Sequence, residues 1–433
     1  MLELVIVFSI LFGFLCFKNF DAGIYFAFLL LPSYRVQFDI LGFPMNLLSI
    51  IIWIIVFVFF IKNIKNISNL FRNFKQNITT NSFFKNFRWP ISVILIMSYL
   101  AIFYSSSQIK ALGIFKSYFL ECLFLFIVLA FTIKTKQQFK NIIYSLGILS
   151  ILIFILGLYQ KLTGDFAFNT TDAIEKGRIT TFFGYPNANG LILVPVFFLN
   201  LLNLFEDKKL HLKIFNVLVF VLIFLTIFWS KSESAIIAII SGLIIFASLK
   251  FFNNKKYFIF VVSLVLLISF VFPFLVRAPS KIDEPNTEIY SIKEKLLLQD
   301  LSGQIRRQMY KETIDFIKDN PVRGAGLVGY QEKIVNYHKF NYIEIFLYPH
   351  NIFLNFWIAL GIFGLIGFFW LIIEFMRVCI KSYFNNSKEQ IFILLTMLAV
   401  VIQGTVEVPY FKNDLSIVWW FIVLGCLLFR VEK

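Results

Sequence analysis

The sequence predicts an all-α polytopic membrane protein, a transmembrane bundle of about 12 to 13 helices with one larger loop subdomain on the extracytoplasmic side. Three observations carry this. Hydrophobic residues make up 59% of the 433 positions and the mean hydropathy is +0.80, where a soluble domain is apolar over roughly half its length. Apolar runs of the length that crosses the hydrocarbon as a helix, about 17 to 25 residues, recur along nearly the whole chain. The runs lack the period-two alternation of barrel strands, and a backbone in lipid must satisfy its own hydrogen bonds.

Taken in order, helices are expected near 2–17, 22–36, 44–61, 89–105, 113–133, 141–161, 187–204, 213–229, 235–251, 257–275, 351–378, 390–407 and 415–429. The second of these is the weakest, because "YFAFLLLPSYRVQF" is interrupted by Pro32 and charged at Arg35. The first run carries Glu3 where a cleaved leader would carry lysine or arginine, so it is read as a retained helix. Cys16, Cys122, Cys379 and Cys426 all fall inside apolar runs without C-x-x-C spacing, which indicates neither a disulfide framework nor a zinc site.

The formal charge of +15 is concentrated in short connections between helices. That is a topology signal, and no nucleic-acid partner is expected. The connection at 62–88 carries Lys62, Lys65, Arg72, Lys75, Lys85 and Arg88 without an acid, which assigns it to the cytoplasm. Alternation from there puts the other basic short loops on the same side. Residues 162–186, 230–234, 277–349 and 408–414 then face outward. Three regions follow: 1–276, N-terminal helices; 277–349, a charge-balanced extracytoplasmic subdomain; and 350–433, C-terminal helices. Within the subdomain, Ile305, Met309, Ile314, Phe316 and Ile317 give one apolar helical face, ended by "DNP" and a glycine-rich turn.

His350 stands between Pro349 and the helix expected from 351, at an outward-facing helix N-terminus. The unpaired amides and dipole there favour an anion such as phosphate and disfavour imidazolium. A neutral histidine is the form a general base requires. On spacing alone, His350 and Asn351 read first as a helix cap in the headgroup zone, ahead of a catalytic role. Arg178, beside a Pro186-Asn187 turn, suits an anionic headgroup or a snorkelling interfacial position. Arg306, taken alone, is a solvated charge on a helix face.

Several motifs run in one order along residues 90–430. His350-Asn351, nine residues, then Gly361-Ile362-Phe363-Gly364 gives H-N-x9-G-x-x-G, in which the two glycines let another helix approach closely. "GRITTFFGYPNANGLILVPVFF" (177–198) is similar to R-x-x-G-x-F-x-N-P-N-x-x-A, with Thr180-Thr181 in the first glycine region and Tyr185-Pro186-Asn187 in place of Asn-Pro-Asn. "RRQMYKETIDFIKDNPVRGAG" sets Arg306 four residues before Tyr310, ahead of a D-x-P-x-x-G-x-G turn. Residues 407–425 match a C-terminal outer loop and last helix, in which Glu407, Tyr410 and Asp414 read as interfacial anchors. Together these resemble the O-antigen ligase and O-antigen polymerase superfamily. The chain departs from that pattern at Ser232-Glu233-Ser234-Ala235, where many relatives carry arginine at the place of Glu233, and Lys231 is the substitute cation.

The resemblance implies a GT-C-like glycosyltransferase of the cytoplasmic (inner) membrane, working at its outer face without cofactor, metal or nucleotide sugar. Its partners would be a polyprenyl-diphosphate-linked glycan as donor, a lipid A core sugar or another lipid-linked repeat unit as acceptor, and the bilayer. His350 would deprotonate or orient the acceptor hydroxyl, and Arg306 would offset charge on the diphosphate. Arg178, Asn187, Lys231, Arg307, Tyr310 and Asn351 would contact substrate. Ligase and polymerase both remain open, as does a flippase or transporter of lipid-linked oligosaccharide, although that role favours charges at mid-membrane.

Overall fold

A computed structural model describes residues 2–40, 43–66, 82–165, 177–279, 282, 294–295, 298–340 and 342–431. Parts of the basic 62–88 connection, of the 162–186 loop and of the 277–349 segment lie outside the described residues. Among the described residues, thirteen apolar helices form near the expected places: α1 (Leu2–Lys18), α2 (Phe20–Leu29), α3 (Leu47–Lys62), α4 (Ser82–Phe103), α5 (Gln108–Thr132), α6 (Lys136–Thr163), α7 (Asn187–Glu206), α8 (Leu210–Ser230), α9 (Glu233–Phe252) and α10 (Lys255–Leu275) come first. After the amphipathic helix α11 (Leu301–Asp319), α12 (Ile352–Phe384), α13 (Gln390–Gln403) and α14 (Asn413–Leu428) complete the series. Among the described residues, eight helices are long and apolar enough to cross a bilayer. The protein is a multi-pass helical membrane protein.

The helix expected at 22–36 ends at Leu29 and gives way to a 3-10 turn over Leu31–Arg35, with Pro32 at its start. Proline lacks the amide that the next helical turn would need. A two-stranded antiparallel hairpin follows, Gln37–Ile40 on Phe43–Asn46, with Gln37 opposite Asn46. Asn46 then caps α3 by accepting from Ser49 N at 2.9 Å.

Helix α7 sits at the centre, packed by α6, α8, α9, α13 and α14, while α8 and α10 keep most of their apolar surface outward. That surface suits contact with lipid acyl chains. At one end of the bundle Lys140, Tyr144 and Asn216 hold Asp207 at 2.5, 2.5 and 2.7 Å, satisfying a buried carboxylate where α6, α7 and α8 meet. The His350 end is the opposite one, where α7 and α12 begin and α8 and α13 finish.

Over the start of α12 lies a small second core. Tyr310, Phe316 and Ile317 of α11 pack with Leu298, Ala325, Tyr330 and Ile334 onto Leu354 and Ile358. Met309, Phe316 and Ile317 of the expected apolar face are buried, and Ile305 and Ile314 are half-buried.

The paired glycines of α12 do something other than admit a neighbouring helix. Gly361 is non-helical (φ 74°, ψ −177°) and breaks α12 after its first nine residues. Into the break comes the 320–326 turn: Ala325 N donates to Ile358 O at 2.5 Å and Ile362 N to Val322 O at 3.3 Å. A Cβ on Gly361 would lie 1.9 Å from Val322 O, whereas the space at Gly364 is taken by Leu360 of the same helix. Gly361→Ala therefore meets both a left-handed φ and a backbone clash. It is expected to destabilise the protein by about 2 kcal/mol or more, read as a lowered melting temperature and lower yield, with Gly364→Ala the milder change.

Candidate functional site

Glu407, in the connection between α13 and α14, is 1% exposed and gathers three side chains from distant segments. Its Oε2 faces His350 Nδ1 at 3.2 Å. Its Oε1 accepts from Arg306 Nη2 at 3.1 Å and from Asn187 Nδ2 at 2.7 Å. Burial by itself would raise the carboxyl pKa, but the charge and hydrogen bond of His350, with Arg306 and Asn187, bring it down to about 2. Glu407 is thus an anion throughout the ordinary pH range. A carboxylate can only accept, so Nδ1 of His350 carries the hydrogen, and in the neutral ring Nε2 is left as the acceptor.

Each partner is delivered by local structure. His350 takes a left-handed backbone conformation (φ 48°) one residue before the cap of α12. Its carbonyl accepts from Tyr310 Oη at 3.1 Å, and the same phenol lies 2.9 Å from Thr405 O. Asn351 caps α12, accepting from Phe353 N and Leu354 N at 3.0 Å, while its Nδ2 donates to Thr405 O at 2.9 Å. Both side chains are buried and spend their polar atoms on the protein. They brace the His350 turn against the Glu407 loop. His350 itself is 23% exposed at the side chain, and among the described residues no hydrogen bond occupies its Nε2.

Arg178 extends the cluster. Its Nη2 donates to Asn187 Oδ1 at 2.7 Å and its Nε to Ser230 O at 2.9 Å. Asn187 is therefore a relay between one guanidinium and the carboxylate. Thr181 adopts φ 52°, a conformation that favours glycine; Gln160 Oε1 receives the amides of Thr180 and Thr181 at 3.0 and 2.8 Å and holds it there. Lys231 caps α8 in a left-handed conformation and contributes its backbone oxygen, 3.5 Å from Arg178 Nη2. Glu233, in the arginine's place of the resembling pattern, pairs with Lys295 at 2.5 Å.

Arg306 and Arg307 part company on α11. Arg306 is tied to Glu407, although its Nε is buried and unpartnered. Arg307 is half-buried, its Nε is also unpartnered, and among the described residues it makes no hydrogen bond or ion pair. A guanidinium in that state is available to an outside anion.

Asn187, Arg306 and His350 thus converge on one carboxylate, with Arg178 linked to it through Asn187, Arg307 neighbouring Arg306 on the helix, Tyr310 and Asn351 behind, and Lys231 contributing backbone. Glu407, which the sequence reading left as an interfacial anchor, is the centre. Its signal in the sequence is slight: one acid two residues before Pro409 in a short connection between two apolar runs. Chemically the cluster offers an acceptor nitrogen at His350, oriented by a carboxylate, next to a surplus of fixed positive charge.

Residues 218–369 match the family model described as O-antigen ligase. That stretch contains Lys231, Arg306, Arg307, Tyr310, His350 and Asn351, while Arg178, Asn187 and Glu407 lie outside it. Among curated proteins, the chain is similar to the ComP-specific O-oligosaccharyltransferase of Acinetobacter baylyi, 26% identical over 347 residues and 75% of this chain. The chain spans 58% of that relative's length.

Proposed function

With an O-antigen ligase region over residues 218–369, we propose that this multi-pass protein is a glycosyltransferase that moves a glycan from a polyprenyl diphosphate to a sugar hydroxyl. The reaction takes place at the extracytoplasmic face of the cytoplasmic membrane, the side to which the basic loops assign the His350 end. One observation carries the reading: the buried Glu407 carboxylate holds both His350 Nδ1 and the Arg306 guanidinium, and among the described residues no hydrogen bond occupies His350 Nε2. The name of the Acinetobacter relative, an oligosaccharyltransferase, is in keeping with it.

In the proposed step the acceptor hydroxyl oxygen bonds to the anomeric carbon of the donor glycan. Its proton passes to His350 Nε2. The bond from that carbon to the diphosphate oxygen breaks, and the lipid diphosphate leaves with the electron pair. Arg307 and Arg306, with Arg178 behind them, offset the charge that develops on the departing oxygen. Glu407 keeps the imidazole in the tautomer that accepts and stabilises the imidazolium that results. Acceptors consistent with the scheme are a lipid A core sugar and the end of a growing polysaccharide.

The test separates transfer from transport. Purified protein in detergent, given a lipid-diphosphate glycan and an acceptor glycan, is expected to form product with no membrane to cross. Absence of product under conditions where the protein binds both substrates would favour movement of the lipid-linked sugar.

A further inference from the structure

Five residues beyond Glu407 the same loop carries a second cation. Lys412 Nζ donates to Tyr34 Oη at 3.0 Å and lies 4.6, 5.3 and 5.9 Å from the ring centres of Tyr185, Tyr34 and Phe183. The Arg35 guanidinium closes on the same turn: a Cβ on Gly184 would stand 3.3 Å from its Nη1, so glycine there lets the arginine lie against the backbone. Tyr348, whose hydroxyl donates to Phe411 O at 3.2 Å, is held on the residue before Lys412. Two of the three segments that build this cage, 183–187 and 407–412, also supply Asn187 and Glu407 to the cluster around His350. The third is the 3-10 turn that Pro32 creates.

Lys412 is half-buried and, among the described residues, makes no ion pair. Among the described residues no carboxylate oxygen lies within 4 Å of its Nζ, although Asp414 and Glu407 act on it from farther off. Burial lowers its ammonium pKa and raises that of the Tyr34 phenol. A desolvated cation ordinarily has a counter-charge in contact. Cation–π contacts with the rings meet part of that need. One of the three ammonium hydrogens is given to Tyr34, and Tyr185 and Arg35 remain exposed at the rim. Aromatic faces, phenol hydroxyls and two cations are the chemistry of a site for an anion carried on a polar, ring-bearing molecule.

We propose that Lys412 and Arg35, framed by Tyr34 and Tyr185, form a second anion subsite continuous with the His350 cluster, binding a phosphate or carboxylate of the substrate. The proposal deepens the glycosyl-transfer reading and rests on it for the substrate's class. The anion has two sources, the diphosphate of the lipid-linked donor or an acidic sugar of either glycan. The subsite adds a binding contact away from the reacting atoms, so it should govern affinity in preference to the chemical step.

The experiment uses the full chain in nanodiscs and two probes, farnesyl diphosphate and glucuronic acid, with dissociation constants measured for wild type, Lys412→Met, Lys412→Arg and Arg35→Gln. Lys412→Met is expected to weaken one probe by ~10-fold or more, about 1.4 kcal/mol, Arg35→Gln to weaken the same probe, and Lys412→Arg to retain most of the affinity. Loss confined to farnesyl diphosphate assigns the subsite to the lipid-linked donor; loss confined to glucuronic acid assigns it to an acidic sugar. If wild type binds neither probe, or if Lys412→Met and the rim substitution Arg35→Gln both leave affinity within twofold, the subsite is overturned. Binding that depends on Lys412 in a protein that forms no product would sink the transfer reading and leave the anion site standing.

Discussion

Glu407→Gln is expected to lower stability by about 3–5 kcal/mol, the usual effect of removing one member of a buried, hydrogen-bonded charge cluster, and to reduce glycan transfer at least ~100-fold. The amide keeps the shape of the side chain but offers one acceptor and one donor group. Arg306, Asn187 and His350 all present donors to this position, so one of them must face an N–H. The pH dependence has a definite sign. The folded-state pKa of Glu407 lies below its ordinary value of 4.5, at about 2, so its contribution is fully present above about pH 4.5 and is lost as pH falls toward 2. The gap in melting temperature between wild type and Glu407→Gln should therefore be constant from pH 7 to about 5 and narrow below it. A gap that is absent at pH 7, or that stays unchanged down to pH 3, contradicts the assignment of Glu407 as a buried anion.

His350→Ala is expected to lower transfer by roughly 10²–10⁴-fold, the span of a positioned general base, with much less effect on stability than Glu407→Gln. The difference follows from exposure. His350 is partly open at its side chain and gives one hydrogen bond to the cluster, while Glu407 is enclosed and receives three. Insertion into the membrane and the melting temperature, measured beside product formation, separate the two roles. Transfer by His350→Ala within a few-fold of wild type would remove the histidine from the chemistry.

Much of this molecule was legible from residue order, and the parts that were not share a cause. Thirteen apolar segments stood out because crossing lipid demands a run of apolar residues at each helix, a constraint that is local along the chain. The amphipathic helix at 301–319 was legible for the same reason, from Met309, Phe316 and Ile317 at helical spacing. His350, Arg306 and Arg178 were singled out through motif spacing. Glu407 was not, because what makes it central is the arrival of Asn187, Arg306 and His350 from 220, 101 and 57 positions away. Its neighbours in sequence carry no trace of that. Gly361 was read as a surface for helix approach, since spacing reveals small residues but not a φ of 74° or the 320–326 turn that fills the break. The hairpin after Pro32 was missed because four-residue strands offer too little alternation to set against an apolar run.

The most direct measurement is the initial rate of glycan transfer in detergent by His350→Ala, with and without added imidazole, against wild type. A base that takes the acceptor's proton at Nε2 leaves a cavity next to Glu407 that free imidazole can enter. The rate is then expected to be strongly reduced without imidazole and partly restored as imidazole is raised. A variant that transfers glycan at the wild-type rate with no imidazole present would contradict the Glu407–His350 pair as the proton acceptor.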